Sequence, residues 1–174
     1  MEKYLAKCHK KLKEWNAPQD NWYCVELIDG EDANFTCELC GYEGVRYIHV
    51  MEHDAYFEKL YVGCICAGVM EGDILMAKER DRKMKNRAKR KQNFPRKKWK
   101  MSRGGGYYVK YHDKYVFINH TDNGYNCACN GKRTSKYHEK PIDNFLTACY
   151  AAFDLADPIE EAMECEKKRL NKNF

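Results

Sequence analysis

Four cysteines form two close pairs, Cys37-Glu-Leu-Cys40 and Cys64-Ile-Cys66, separated by 23 residues and flanked by Gly41 and Gly63. Paired thiolates suit tetrahedral zinc, whose Zn–S distance of about 2.3 Å demands a chain reversal at each pair, and the glycines allow such turns. Cys37, Cys40, Cys64 and Cys66 are therefore the expected ligands of one structural Zn2+, the alternative being buried thiols with no ligand role. Between the pairs lies His49-Val-Met-Glu-His53. On a helix, this spacing would bring both imidazoles to one ion beside a glutamate base. Val45, Tyr47, Ile48 and Val50 instead favour a strand, in which the two histidines stand about 13 Å apart and cannot share a metal. No catalytic residue is expected. His49 and His53 remain the candidates for nuclease chemistry, or for replacing one thiol of the second pair.

The second feature with chemical content is a basic run. Residues 78–103 carry fourteen Lys/Arg against Glu79 and Asp81, whereas the rest of the chain has 17 basic and 24 acidic residues. The overall charge of +5 is thus a local excess of cations, which points to a polyanionic partner. Lys83, Arg87, Arg90 and Lys91 fall on a broad helical stripe, and Arg96, Lys97, Lys98, Lys100 and Arg103 surround Trp99. Cations that contact phosphate and an indole that stacks on a base make these the expected nucleic-acid contacts. The competing reading is a solvated linker. Trp99 is expected to face the nucleic acid.

The elements that must position these groups are legible from periodicity. Tyr4, Leu5, Cys8, Leu12 and Trp15 recur at helical spacing, followed by a strand in "NWYCVELIDG". Residues 44–50 and "KLYVGCIC" form an expected hairpin, and a helix begins near Glu71 and stops before Pro95. After Ala77 its charge is expected to keep it out of a core. "SRGGGYY" reads as a flexible joint, followed by strands "YYVKY", "KYVFIN" and "YNCAC" and a helix with Pro141 near its first turn. A second helix is expected within the C-terminal "IEEAMECEKKRLNKNF".

The order of knuckle, hairpin, second cysteine pair and helix over residues 35–80 resembles the treble-clef zinc fold. "VRYIHVMEH" and "VGCICAG" also look like uncharacterised bacterial and phage zinc proteins. The treble-clef resemblance extends to HNH nucleases, which implies a histidine near the end of the first hairpin strand that activates water. The sequence departs from that group in having no matching downstream Asn and His set. Residues 105–156 are similar in topology to sheet-type DNA-binding domains, such as those of plant ethylene-response factors, and to double-stranded RNA-binding domains.

The reading that follows is an α+β protein with a treble-clef-like zinc module, a basic helical connector and a three-stranded antiparallel sheet with a packed helix. The expected divisions are residues 1–77, 78–104 and 105–174. The expected function is zinc-stabilised binding of DNA or RNA through the basic helix and the aromatic-rich sheet. A small metal-dependent nuclease and a protein-interaction adaptor in a phage or defence complex are the alternatives. No signal-like or membrane-spanning run occurs, and ten cysteines suit a reducing setting, so a cytoplasmic protein with no membrane partner is expected.

Overall fold

The computed structural model describes residues 2–32 and 34–159, so the expected C-terminal helix lies outside the described residues. The architecture is α+β. Two compact units divide inside one helix, the first ending at Lys85 and the second starting at Asn86. No helix among the described residues is long and apolar enough to cross a membrane.

In the first unit, helix α1 (Glu2–Glu14) buries Cys8 and Leu12 completely, with Tyr4, Leu5 and Trp15 packed beside them. Their i, i+4 spacing gives the helix one apolar face. Strands β1 (Tyr23–Asp29), β2 (Tyr47–His53) and β3 (Tyr56–Val62) form an antiparallel sheet with β2 in the centre. The central position explains why Tyr47 through Met51 are all buried. A short helix, α2 (Cys64–Glu71), follows β3 directly and ends at Gly72, whose φ of 75° is the left-handed conformation that closes a helix. The chain then turns into α3 (Ile74–Asn93). A Cβ on Gly68 would stand 2.6 Å from the Ile74 Cα, so glycine permits that turn to pack against α2. The sequence suggested one helix here; a glycine pause makes it two.

Helix α3 continues through the basic run, and Met84, Arg87 and Ala88 along it are buried, contrary to the expectation that its second half stays outside any core. A 3-10 turn (Phe94–Arg96) leads into a five-stranded antiparallel sheet. Its strands, in both chain and spatial order, are β4 (Lys100–Met101), β5 (Tyr107–Tyr111), β6 (Lys114–Thr121), β7 (Gly124–Cys129) and β8 (Lys132–Thr134). The three expected strands are its middle, and β4 and β8 are short additional edges. Gly104–Gly106 belong to the β4–β5 turn, where the Ser102 amide donates to Gly106 O at 2.7 Å, rather than to a loose joint. Strands β9 (Lys136–Tyr137) and β10 (Lys140–Pro141) make a small ladder before α4 (Phe145–Ala156). Asn144 caps α4 by accepting the Thr147 amide at 2.9 Å, so the helix starts four residues beyond the expected proline.

One face of the five-stranded sheet packs on α4 through Val109, Tyr111, Val116, Ile118, Cys127 and Cys129. Phe94 closes this core edge-on to Trp99, Tyr111 and Phe153, with ring centroids 5.3–5.5 Å apart.

Candidate functional site

The cysteines converge in the first unit. Phe35 and Val45 pair as an isolated bridge, and between them Cys37-Glu-Leu-Cys40-Gly41 makes a knuckle. Gly41 at φ 73° donates to Cys37 O at 2.8 Å. The other participant, Cys66, sits in the first turn of α2, and the sulfurs of Cys37, Cys40 and Cys66 all lie within 4.8 Å of one another. This group can hold a metal ion.

Cys64 is outside it. Residues i and i+2 of a helix are rotated by about 200°, so the second pair cannot turn both sulfurs to one point once it is helical. The charges that act on Cys64 come from Asp81, Arg80, Lys85 and Lys78 of α3, and burial pushes its thiol up to about 11.

Around the three sulfurs the electrostatics are polarised. The Cys66 side chain holds Cys37 down at about 5 by hydrogen bonding, against the effect of burial and with help from the Gly63 and Cys40 amides. Gly63 N stands 3.3 Å from Cys37 Sγ. Cys8 of α1 is fully buried and lowered in the same way, first by its hydrogen bond with Cys66. Cys66 is correspondingly raised, first by Cys37 and then by Cys8. Tyr4 Oη lies 2.9 Å from Cys66 Sγ, and burial followed by hydrogen bonding to Cys40 and Cys66 raises its phenol. Beside the sulfurs, a cleft of about 800 Å3 is walled by Tyr42, Tyr47, Cys64, Asp81 and Lys85.

The histidines are separate from this group. His49 is completely enclosed in β2, with neither ring nitrogen hydrogen-bonded, whereas His53 accepts the Ala55 amide at Nδ1 and packs on Trp22 at 5.5 Å. A strand holds both, as the flanking β-branched residues require.

In the second unit, much of the basic run is internally paired. Arg87 donates to Asp154 and to Asp157 O, both at 2.7 Å, and lies over the Phe153 ring. Lys91 pairs with Asp154, and Arg90 with Asp157. Lys114 donates to Ala156 O at 3.1 Å. These cations meet the C-terminal end of α4, where unsatisfied carbonyls and the helix dipole favour positive charge. Trp99 is edge-on to Phe94 and Phe145 rather than turned outward to a base. Lys83 is half-buried; Arg96, Lys97, Lys98, Lys100 and Arg103 are exposed, with Lys97 set over the Tyr111 ring.

The face of the sheet turned away from α4 carries a different pattern. Register places Lys100, Tyr108, Phe117, Ala128 and Arg133 opposite one another across all five strands. Lys110 and Tyr115 pair in the next row, Asn119 and Asn126 in another. Phe117 is 40% and Tyr115 51% exposed, and the Tyr108 ring stands 6.2 Å from Phe117 and 6.4 Å from Tyr115. Lys100, Lys110 and Arg133 are exposed and make no ion pair among the described residues. Tyr4 and Cys8 were read only as part of the apolar face of α1, and Lys110 and Arg133 were not singled out; the alternation of β5 contains the signal for Lys110, whereas Arg133 on β8 joins the row only through the register. Comparison of the chain with protein-family models, with curated proteins and with solved structures finds no match.

Proposed function

We propose that this is a zinc-stabilised nucleic-acid-binding protein that presents unpaired bases to the open face of its five-stranded sheet. The observation that carries the reading is the row Lys100, Tyr108, Phe117, Ala128, Arg133, an aromatic centre between two unpaired cations. Aromatic faces stack on any base, while lysine and arginine at the rim meet the phosphates. Charge supports the same assignment, since residues 86–159 hold fifteen Lys/Arg against six Asp/Glu. Arg96, Lys98 and Arg103 are further exposed cations, whereas Arg87, Arg90 and Lys91 are paired with the end of α4. Three clustered thiols are a soft donor set suited to zinc. The sequence of knuckle, β2–β3 hairpin and Cys66 in the first turn of α2 supports the resemblance to the treble-clef fold. Free thiols at all nine described cysteines fit a reducing, cytoplasmic setting.

Fluorescence anisotropy with labelled single-stranded and duplex oligonucleotides tests this. Salt-sensitive binding is expected, strongest for single strands. Phe117→Ala is expected to weaken it by about 1–3 kcal/mol, the usual worth of one stacked base. Lys100→Ala and Arg133→Ala should each lower the logarithmic salt slope by about 0.7. Binding to duplex alone would discard the stacking surface. Retention of neither form, together with capture of a protein, would favour the adaptor reading. Cleavage of the oligonucleotide in magnesium would favour the nuclease.

A further inference from the structure

We infer that Cys8, donated by the N-terminal helix, is the fourth ligand of an all-thiolate zinc centre formed with Cys37, Cys40 and Cys66, and that α1 is therefore part of the metal site. The inference rests on the zinc reading above and adds the identity and origin of the missing ligand. Three sulfurs are already within 4.8 Å of one another, and a structural zinc site closes with a fourth protein ligand. Cys64, the nearest thiol in sequence, points away from Cys66 because both lie on the first turn of α2. Helix α1 supplies what α2 cannot. Its Tyr4 and Cys8 are one turn apart on one face, which directs the Tyr4 hydroxyl to 2.9 Å from Cys66 Sγ and buries Cys8 in the same core as Cys37 and Cys66, although its sulfur is not among the three within 4.8 Å of one another.

The surroundings are those of a built site. Cys8 has no exposed surface and Cys37 and Cys66 have 1% each, while Cys40 is half-buried at the cleft. Lys7 of the same helix donates to Cys40 O at 3.2 Å, fastening α1 to the knuckle, and Gly63 N approaches Cys37 Sγ at 3.3 Å. Four thiolates on a divalent ion carry a net charge of −2, and the Lys7 ammonium and the Gly63 amide dipole offset it. The Tyr4 hydroxyl is placed to donate to a bound sulfur and so to orient it, the role that outer hydrogen bonds play around metal ligands. Binding one zinc ion would thus join three segments, α1, the knuckle and α2, that are far apart in sequence.

Zinc X-ray absorption on the purified full chain decides the matter. Four sulfur neighbours at about 2.3 Å are expected in the unaltered protein and equally in Cys64→Ser. Cys8→Ser should show three sulfurs and one lighter atom, with zinc affinity reduced by more than the roughly 10–100-fold that loss of an outer hydrogen-bond partner causes. Tyr4→Phe should keep four sulfurs and lose affinity within that range. Three sulfurs in the unaltered protein, or loss of a sulfur in Cys64→Ser, would overturn the assignment of Cys8 while leaving the zinc reading intact. A folded chain that takes up no zinc would overturn both. Should Cys8→Ser fail to fold, the unaltered protein and Cys64→Ser still separate the two outcomes.

Discussion

His49 has no exposed surface, and the charges that act on it are those of Arg80 and Asp81 on α3. Burial, and secondarily the positive charge of Arg80, hold its imidazole down at about 4 against the partial relief given by Asp81. Its ordinary value is about 6.5, so the unfolded chain binds the proton more readily and stability is lost as pH falls from about 6.5 towards 4. The shift corresponds to roughly 3 kcal/mol. Urea denaturation across that window should show the midpoint of the natural protein falling with acid, and His49→Leu should flatten the fall. Acid release of any metal held by the cysteines would act on both proteins alike, so the difference isolates the histidine. Equal slopes would show that His49 is not the acid-sensitive group. The letters around it matched a catalytic pattern, yet period-2 neighbours decided its backbone and hence its isolation from the cysteines. Cys37, Cys40 and Cys66 were legible because their turns are local. Cys8 was not, since a partner 29 residues upstream of Cys37 becomes a neighbour only through folding.

At the scale of elements, α3 shows how composition can mislead about use. A run with fourteen Lys/Arg suggested phosphate contacts, but which cations are free depends on where the acids of α4 arrive. Asp154 and Asp157 take Arg87, Lys91 and Arg90, and the Arg87 side chain retains only 4% exposure. Removing one member of a buried pair costs about 3–5 kcal/mol; Asp154 is partly solvated and keeps Lys91, so Arg87→Ala should cost about 2 kcal/mol. Lys98→Ala, on an exposed side chain, should stay within about 0.5 kcal/mol. Guanidinium unfolding compares the two, and equal stabilities would mean that Arg87 is not a structural residue. The sheet was read more completely. Alternation in "YYVKY" and "KYVFIN" already separated an inner from an outer face, and only the registers that align Lys100 and Arg133 with Phe117 required the fold.

At the scale of the molecule, the described residues form two cores that share no residue, one packed with Trp15 and Trp22 and the other with Trp99. Domains of this size bury a limited fraction of their surface, and small ones commonly depend on a staple. A structural zinc would staple only the first core, because Cys37, Cys40 and Cys66 belong to it. The apparent worth of such a site, roughly 10–16 kcal/mol in small zinc-folded peptides, exceeds what a core of this size supplies alone. The second core closes instead through Phe94, Phe153 and the aromatic contacts of Trp99. Chelation at neutral pH should therefore act on one core and spare the other. With Trp15 and Trp99 replaced by phenylalanine, Trp22 fluorescence should report a melting transition lowered by tens of degrees, given about 4–8 °C per kcal/mol for units of this length. With Trp15 and Trp22 replaced, Trp99 should report a transition unchanged by the chelator to within a few degrees. A common shift of both probes would mean that the metal stabilises the chain as one cooperative body, and the absence of any shift would remove the metal from the folding of the first core.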